Sequence, residues 1–195
     1  KASYDNYIKM EEMGVHTLPC FHMGDAWEYL DEYMKYSSYV AIGGLSRRDI
    51  GKLIYFFDEL FERITGSDGK PIIDTHGFSL TSLPLMLKYP WTSVDSSTWV
   101  QWAANGLCLL PYSGKQINVS DKSSARKLLD QHFSSVDPIT QQFLRNEIEH
   151  YGFTPERLMS TYQARWAWNI WAFPYFASTR DKCTEYFRAS KGLFD

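Results

Sequence analysis

The sequence predicts an α/β fold: the C-terminal half of a TIM-type (β/α)8 barrel, followed by a mainly helical C-terminal extension. Short apolar segments alternate with helical segments four times within residues 1–106. Each apolar segment ends in a polar or glycine-rich corner, which is typical of parallel strands that carry function at their carboxyl ends. The sequence lacks the glycine-rich nucleotide motifs of doubly wound sheets, so a barrel is the preferred architecture.

The order of the elements follows from the hydrophobic periodicity. A first helix spans 4–13 and stops at Gly14. The strands are predicted at 15–21, 39–42, 71–74 and 92–95, and the helices after them at 26–36, 47–64, 82–88 and 97–105. The helix over 47–64 is the clearest, because its apolar residues recur at helical spacing from Ile50 to Ile64. Asp25 is the predicted N-cap of the helix over 26–36.

Two regions are predicted. Residues 1–106 contain four strand–helix units, half of a barrel that would take about 250 residues when complete. Residues 107–195 read as a hairpin over 107–111 and 116–119, followed by helical stretches at 121–132, 138–151 and 154–175. The other half of the barrel either precedes this chain in a longer protein or comes from a second chain. We favour the upstream half.

Composition argues against several classes of protein. The formal net charge is −3, and no apolar run approaches the roughly 20 residues that span a bilayer, so no membrane partner is expected. The three cysteines, Cys20, Cys108 and Cys183, are far apart and lack the spacing of a zinc site. We therefore expect reduced thiols, a cytoplasmic location, and a site without metal or cofactor.

Asp95 is the first candidate catalytic residue. It ends the fourth predicted strand and is followed by Ser96, Ser97 and Thr98. A carboxylate at the mouth of a barrel can attack the anomeric carbon of a sugar or accept a proton. An aspartate in this position would also cap the next helix well, and the residues alone leave both roles open.

Candidate binding residues follow the three earlier strands. Gly43 and Gly44 let backbone amides approach a ligand, although a tight turn alone would explain them. His22 and His76 offer hydrogen bonds and Phe78 a stacking face, while a structural role for each histidine remains the alternative. Since strand ends converge in a barrel, these groups and Asp95 would form a pocket for a planar ligand such as a nucleobase.

With these segments in place, the sequence resembles the tRNA-guanine transglycosylase superfamily, especially its phage and DNA-modifying relatives. The resemblance covers roughly residues 15–106, about half of the chain. The segments that carry it are PCFHMG at 19–24, AIGGL at 41–45, THGFSLT at 75–81 and WTSVDSSTW at 91–99.

The resemblance implies a base-exchanging glycosyltransferase that replaces guanine in nucleic acid by a free 7-deazaguanine base. It implies that Asp95 is the nucleophile and that a covalent aspartyl-glycosyl intermediate forms. The residues it assigns to the base pocket are His22, Gly43, Gly44, Leu45, His76, Gly77 and Phe78. The Gly-Gly-Leu loop would bind through its backbone, and His22 stands where better-known members carry glutamine.

Three departures from the family matter. The zinc site of the tRNA enzymes is absent, which favours DNA slightly over tRNA as the partner. The arginine-containing segment after the nucleophile is replaced by residues 96–102, and the first half of the barrel is not in this chain. The alternatives are a catalytically inactive relative that binds nucleic acid or a protein, and an unrelated barrel hydrolase that uses Asp95 and the histidines as acid–base groups.

The C-terminal extension also offers contacts to nucleic acid. Its basic side chains suit phosphates, and its aromatic side chains suit bases. They are Arg126, Lys127, Arg145, Arg157, Arg165, Arg180, Lys182 and Arg188, and Trp166, Trp168, Trp171, Phe173, Tyr175 and Phe176. Aromatic residues at helical spacing more often form a core, and acidic residues interleave with the basic ones, so packing is the preferred interpretation.

Overall fold

The computed structural model describes residues 2–80 and 82–187. The protein belongs to the mixed α/β class and divides into two compact units. Of the described residues, the first unit comprises 2–80, 82–96 and 182–187, and the second comprises Ser97–Asp181.

In the part of the chain that the structure describes, the first unit contains a four-stranded parallel sheet and four helices. In chain order its elements are α1 (Ala2–Glu12), β1 (Cys20–His22), α2 (Trp27–Tyr36), β2 (Tyr39–Gly43), α3 (Ile50–Arg63), β3 (Asp74–Gly77), α4 (Leu83–Lys88) and β4 (Ser93–Val94). The strands pair in sequence order, β1-β2-β3-β4, and every pair is parallel. The parallel sheet with crossover helices is therefore confirmed.

The strands are shorter than predicted or shifted along the chain. The ladder of β1 begins only at Cys20, because Pro19 has no N–H to donate, although its carbonyl still accepts from Ala41. The third strand lies at 74–77 instead of 71–74. Before it, Pro71 forms a bridge with Thr65 and the amide of Ile72 donates to Ile64 O, so these residues pair with the segment after α3 and not with β2.

Local hydrogen bonds determine where the helices begin. Asp49 caps α3, since its carboxylate accepts from the amides of Gly51 and Lys52. The prediction that Asp25 caps α2 is wrong. The N-cap residue of α2 is Ala26, and the carboxylate of Asp25 instead accepts from the amide of His22, which closes the turn after β1.

The two faces of the sheet differ in chemistry. Side chains alternate along each strand, so one face carries Phe21, Val40 and Ile42, which are fully buried. This face joins the hydrophobic cluster to which α3 contributes five buried residues, Leu53, Phe56, Phe57, Leu60 and Phe61. Burial of each such side chain stabilises the unit by about 1.5–3 kcal/mol. Apart from Thr75, which pairs with Val40 and is buried, the polar side chains of the strands lie on the opposite face.

The chain returns to the first unit near its C-terminus. The amide of Tyr186 donates to Gly69 O over 2.7 Å, and its hydroxyl donates to Asp58 Oδ1 over 3.0 Å. Its ring stacks on Tyr89 with 5.8 Å between centroids. These contacts explain why residues 182–187 group with the sheet although they follow the second unit in sequence.

The second unit is mainly helical. Its elements are α5 (Thr98–Ala104), β5 (Leu107–Leu109), β6 (Gln116–Asn118), a 3-10 helix (Ser124–Lys127), α6 (Pro138–His150), α7 (Pro155–Ser160) and α8 (Tyr162–Ser178). Strands β5 and β6 pair antiparallel, so the predicted hairpin and the helical character of the C-terminal region are confirmed.

Two helical predictions need correction in this unit. Only residues 124–127 of the predicted helix over 121–132 are helical, because the Ser120 and Ser123 side chains accept locally from the amides of Lys122 and Ala125. The predicted helix over 154–175 is two helices separated by Thr161. Arg165 stabilises the break, since its guanidinium donates to the carbonyls of Leu158 and Met159 at the end of α7.

Across residues 2–80 and 82–187, none of the helices combines the length and apolar character that crossing a bilayer requires.

Candidate functional site

The candidate site lies at the carboxyl edge of the parallel sheet, in the first unit. Backbone hydrogen bonding continues past the ends of the strands there. The amide of Met23 donates to Gly43 O, that of Phe78 to Ile42 O, and that of Asp95 to Gly77 O, over 3.0, 2.9 and 3.2 Å. These bonds bring the four loops after the strands to one edge, as expected for parallel strands.

Asp95 presents a partly exposed carboxylate at this edge. Its Oδ1 accepts from the amide of Ser79 over 2.7 Å and lies 3.7 Å from Nε2 of His76. Neither contact uses Oδ2, and 55% of the side chain is exposed. The N-cap residue of α5 is Ser97, so Asp95 is not the helix cap that the sequence also allowed.

Ser79 adopts an unusual backbone conformation to make this contact. Its φ is 53°, in the left-handed region that residues other than glycine rarely occupy. Such a conformation costs about 1–3 kcal/mol and persists where surrounding structure requires it. The strained residue thus aims its N–H at the Asp95 carboxylate.

His76 is the more buried neighbour of Asp95. Only 17% of its side chain is exposed, and its Nδ1 lies 2.6 Å from Oγ of Ser93 on the adjacent strand. The ring of Phe78 packs edge-on against it, with 4.7 Å between centroids. Phe78 itself is 39% exposed, so it presents an aromatic surface beside the carboxylate.

His22 lies against the β2 end of the sheet. A Cβ at Gly43 would stand 2.8 Å from Cδ2 of His22, so the ring occupies the space that a side chain there would fill. Nδ1 of His22 is 3.6 Å from the Asp25 carboxylate, and Nε2 is 3.7 Å from Sγ of Cys20. Burial, and secondarily the charge of Asp25, raises the pKa of the Cys20 thiol to about 11. Cys20 is therefore a neutral thiol at physiological pH and a poor nucleophile.

The Gly-Gly-Leu loop presents backbone rather than side chains. Gly44 is exposed with a φ of 72°, and its carbonyl accepts from Nε of Arg48 over 3.1 Å. The side chain of Leu45 is buried in the hydrophobic cluster. Leu45 can therefore contribute to the site only through its main chain.

Gly77 faces the other side of the sheet. A Cβ there would meet Leu80 and Val94 at 3.3 Å, within the hydrophobic cluster. Its contribution at the edge is its carbonyl, which accepts from the amide of Asp95. The geometry thus brings together His76, Phe78 and Asp95, with His22 and the backbone of Gly43 and Gly44 at the same edge.

Three residues of the site escaped the sequence analysis. Ser79 was part of a matching segment but carried no assigned role, and nothing in the sequence marks its positive φ. Ser93 begins β4 and Asp95 directly follows that strand two residues later, so the period of two would have placed them on one face. Tyr39 precedes Ser93 by 54 residues, and only the fold brings their hydroxyl groups to 2.5 Å.

The side chains proposed for nucleic-acid contact in the second unit are partly engaged within that unit. Trp168 and Phe176 are buried. Arg165 is also buried and donates to the carbonyls of Ala103 and Leu158. Arg145 pairs with Glu149 and Glu156. Trp166 and Arg157 are exposed, and Arg188 lies outside the described residues.

The chemistry of the site follows from its own residues. No model of a known protein family matches the chain, and no curated protein or solved structure matches it. Within residues 2–80 and 82–187, no three His, Cys, Asp or Glu side chains are grouped so that they could hold a metal ion. What remains is a carboxylate fixed through one oxygen, an adjacent imidazole and an aromatic face. Such a set can perform nucleophilic or acid–base chemistry on a planar ligand.

Proposed function

We propose that this chain is half of a β/α barrel glycosyltransferase that exchanges guanine in nucleic acid for a 7-deazaguanine base. Asp95 is the nucleophile. The observation that carries the proposal is the Asp95 carboxylate, which is held through Oδ1 by the Ser79 amide while the side chain remains half exposed beside His76 and Phe78.

The fixed carboxylate suits covalent catalysis. A nucleophile must approach C1′ from the side opposite the departing base, and a carboxylate anchored through one oxygen offers the other in a limited range of directions. The strained Ser79 supports this role, because backbone strain of this kind concentrates at functional sites.

The neighbouring groups suit a base. Phe78 supplies an apolar face for stacking, worth about 1–3 kcal/mol per base in proteins that bind single strands. His76 supplies a polar ring atom, and the exposed backbone of Gly44 supplies peptide groups without a side chain in front of them. Together these features support a pocket for a planar ligand with hydrogen-bonding edges.

The reaction consists of two displacements. An Asp95 oxygen forms a bond to C1′ of the (deoxy)ribose while the C1′–N9 bond breaks, and that electron pair leaves with guanine. The incoming 7-deazaguanine base loses the proton of its ring nitrogen and attacks C1′, and the carboxylate departs with its electron pair. The departing guanine takes up one proton, so the exchange is neutral overall.

The barrel is completed by a further half, which precedes this chain in a longer protein or belongs to a second chain. The four parallel strands in sequence order support this arrangement, since consecutive strands of a β/α barrel pair in this way. DNA is the favoured substrate and tRNA the alternative, because the chain lacks the cysteine spacing of a zinc site.

A base-exchange assay tests the proposal. The complete protein is incubated with labelled guanine or a labelled 7-deazaguanine base and with either duplex DNA or tRNA, and Asp95→Asn and Asp95→Ala run beside it. We expect label to enter one polymer and both variants to be inactive. Exchange that survives in Asp95→Asn would contradict the assignment of the nucleophile. No incorporation into either polymer would favour a relative that only binds.

A hydrolase is the second candidate, favoured by the 3.7 Å approach of His76 Nε2 to Asp95 Oδ1. A histidine and a carboxylate in proximity suit general acid–base chemistry. The two functions differ in their intermediates. Transglycosylation passes through a covalent nucleic acid–protein adduct that denaturing electrophoresis detects, whereas acid–base hydrolysis releases its product without one.

A further inference from the structure

A line of four polar side chains crosses the polar face of the sheet. The hydroxyl of Tyr39 lies 2.5 Å from Oγ of Ser93, and that Oγ lies 2.6 Å from Nδ1 of His76. Nε2 of His76 in turn lies 3.7 Å from Oδ1 of Asp95. The line runs from Asp95 at the carboxyl edge to Tyr39 at the start of β2.

Three hydrogen-bond orders fit these contacts when the imidazole is neutral. The Tyr39 and Ser93 hydroxyls each carry one hydrogen, and a neutral imidazole carries one N–H. In the first order Tyr39 donates to Ser93, Ser93 donates to Nδ1 of His76, and the ring proton is on Nε2. In the second order Nδ1 donates to Ser93, Ser93 donates to Tyr39, and Nε2 is an unprotonated acceptor. In the third, Tyr39 and Nδ1 both donate to the Ser93 oxygen, and Nε2 is again unprotonated.

Two observations favour the first order. In the second and third, the unprotonated Nε2 would direct its lone pair at the Asp95 carboxylate 3.7 Å away, which is repulsive. The second order also leaves the Tyr39 hydroxyl hydrogen, and the third the Ser93 hydroxyl hydrogen, without an acceptor among the described residues. The first order satisfies both hydroxyls and turns an N–H towards the carboxylate.

We propose that Ser93 and Tyr39 are positioning residues that hold His76 as the Nε2–H tautomer, so that the site offers a hydrogen-bond donor beside Asp95. At 3.7 Å the Nε2–H is too far from Oδ1 of Asp95 to form a hydrogen bond with it, so the Nε2–H is available to a ligand. The ligand atom that meets it is therefore an acceptor. If the proposed function holds, that atom is the carbonyl oxygen or an unprotonated ring nitrogen of the base.

His76 in this state orients the ligand and does not supply the proton. A neutral imidazole that gave up Nε2–H would become an imidazolate, which is far too basic to form at physiological pH. Its contribution is a fixed N–H dipole, and preorganised donors of this kind are effective because they need no rearrangement during the reaction. The edge-on packing of Phe78 restricts the ring in the same orientation.

The tautomer can be measured without any activity. Long-range proton–nitrogen NMR spectra of the uniformly ¹⁵N-labelled full-length protein, at pH about 8.5 where imidazoles are ordinarily neutral, distinguish protonated from unprotonated ring nitrogens. His76→Gln identifies the resonances. We expect Nε2 protonated and Nδ1 unprotonated and hydrogen-bonded. A protonated Nδ1, or an averaged pair of shifts, would overturn the proposal.

Variants separate positioning from simple packing. Ser93→Ala should move the Nδ1 resonance to a non-hydrogen-bonded value, and Ser93→Thr, which keeps the hydroxyl, should restore it. An Nδ1 resonance that is unchanged in Ser93→Ala would contradict the role of Ser93. Tyr39→Phe should shift the Nδ1 resonance in the same direction as Ser93→Ala, but by less. It should leave the solvent-exchange broadening of both ring nitrogens unchanged.

The base-exchange assay gives an independent readout that rests on the proposed function. Loss of one orienting hydrogen bond predicts that Ser93→Ala lowers kcat roughly three- to tenfold and that Ser93→Thr recovers most of it. If the protein shows the Nε2–H tautomer but no exchange activity, the proposed transglycosylase function is wrong, whereas the proposed donor at His76 stands. Normal kcat in Ser93→Ala with the expected tautomer lost would show that the donor is not used.

Discussion

The amide of Ser79 donates to Oδ1 of Asp95 over 2.7 Å, across a separation of 16 residues. The bond joins the loop after β3 to the end of β4, so it fixes the carboxylate relative to the neighbouring strand instead of to its own helix. Ser79 reaches this position with a φ of 53°. The candidate nucleophile is therefore oriented by a strained backbone group that belongs to a different strand–helix unit.

The strain at Ser79 predicts an unusual response to glycine. Ser79→Gly should leave the free energy of unfolding unchanged or raise it by up to about 1 kcal/mol, because relief of the left-handed strain opposes the added entropy of the unfolded chain. Chemical denaturation of the purified variants measures this. Ser82→Gly is the control, since Ser82 has a φ of −84° and glycine should destabilise there. Equal destabilisation by both variants would contradict strain at Ser79.

The contact between Gly43 and His22 predicts a coupled pair of substitutions. Gly43→Ala places a Cβ 2.8 Å from Cδ2 of His22 and 3.0 Å from Sγ of Cys20, so the ring must move. We expect a loss of about 1–3 kcal/mol in the free energy of unfolding, as for other overpacked sites. In the His22→Ala background the same change should cost clearly less. Additive effects in this double-mutant cycle would show that the ring does not limit the space at Gly43.

The succession of strands and main helices along the chain could be predicted because each element has a local sequence pattern. The apolar spacing of α3 and the β-branched run of β2 each mark an element without reference to the rest of the chain. Asp25 could not be predicted in this way. Its position before α2 suits an N-cap, yet its carboxylate accepts from the amide of His22. The sequence does not show which of these two local hydrogen bonds is the more favourable.

The same distinction between local and long-range information applies to the candidate site. The carboxyl ends of parallel strands follow from topology, so the sequence located His76, Phe78 and Asp95 at one edge of the sheet. Contacts between residues far apart in sequence did not follow. Tyr39 and Ser93 meet only through the register that pairs Tyr39 with Asp74 and His76 with Ser93, and strand register depends on the packing of the whole unit.

The Cys20 thiol predicts a pH dependence of both reactivity and stability. Burial raises its pKa from 9.0 to about 11 in the folded protein. Between these values the unfolded chain loses the thiol proton while the folded chain keeps it, so the free energy of unfolding should fall as pH rises from about 9. Alkylation of the native protein should be slow at pH about 8 and accelerate up to pH about 11.

The measurement requires a protein in which Cys20 is the only thiol, made by Cys108→Ala and Cys183→Ala. Alkylation rates are followed by mass spectrometry across the pH range, with the urea-unfolded protein as the reference. Asp25→Asn should shift the rate profile to lower pH, because the Asp25 charge contributes to the raised pKa. A native profile that levels off near pH 9, as in the unfolded chain, would contradict the effect of burial.

We expect substitution of Asn169 to have the largest effect of any single residue on the stability of the second unit. Its side chain is fully buried, its Oδ1 accepts from the amide of Leu109, and its Nδ2 donates to the carbonyls of Trp99 and Leu107. Asn169→Ala removes all three hydrogen bonds, and a buried backbone group left unsatisfied costs about 1–3 kcal/mol. We expect a loss of at least about 3 kcal/mol, measured by urea denaturation with tryptophan fluorescence. Gln163→Ala, at an exposed position of the same helix, should change stability by less than about 0.5 kcal/mol. Similar small losses for both variants would mean that water replaces the three bonds.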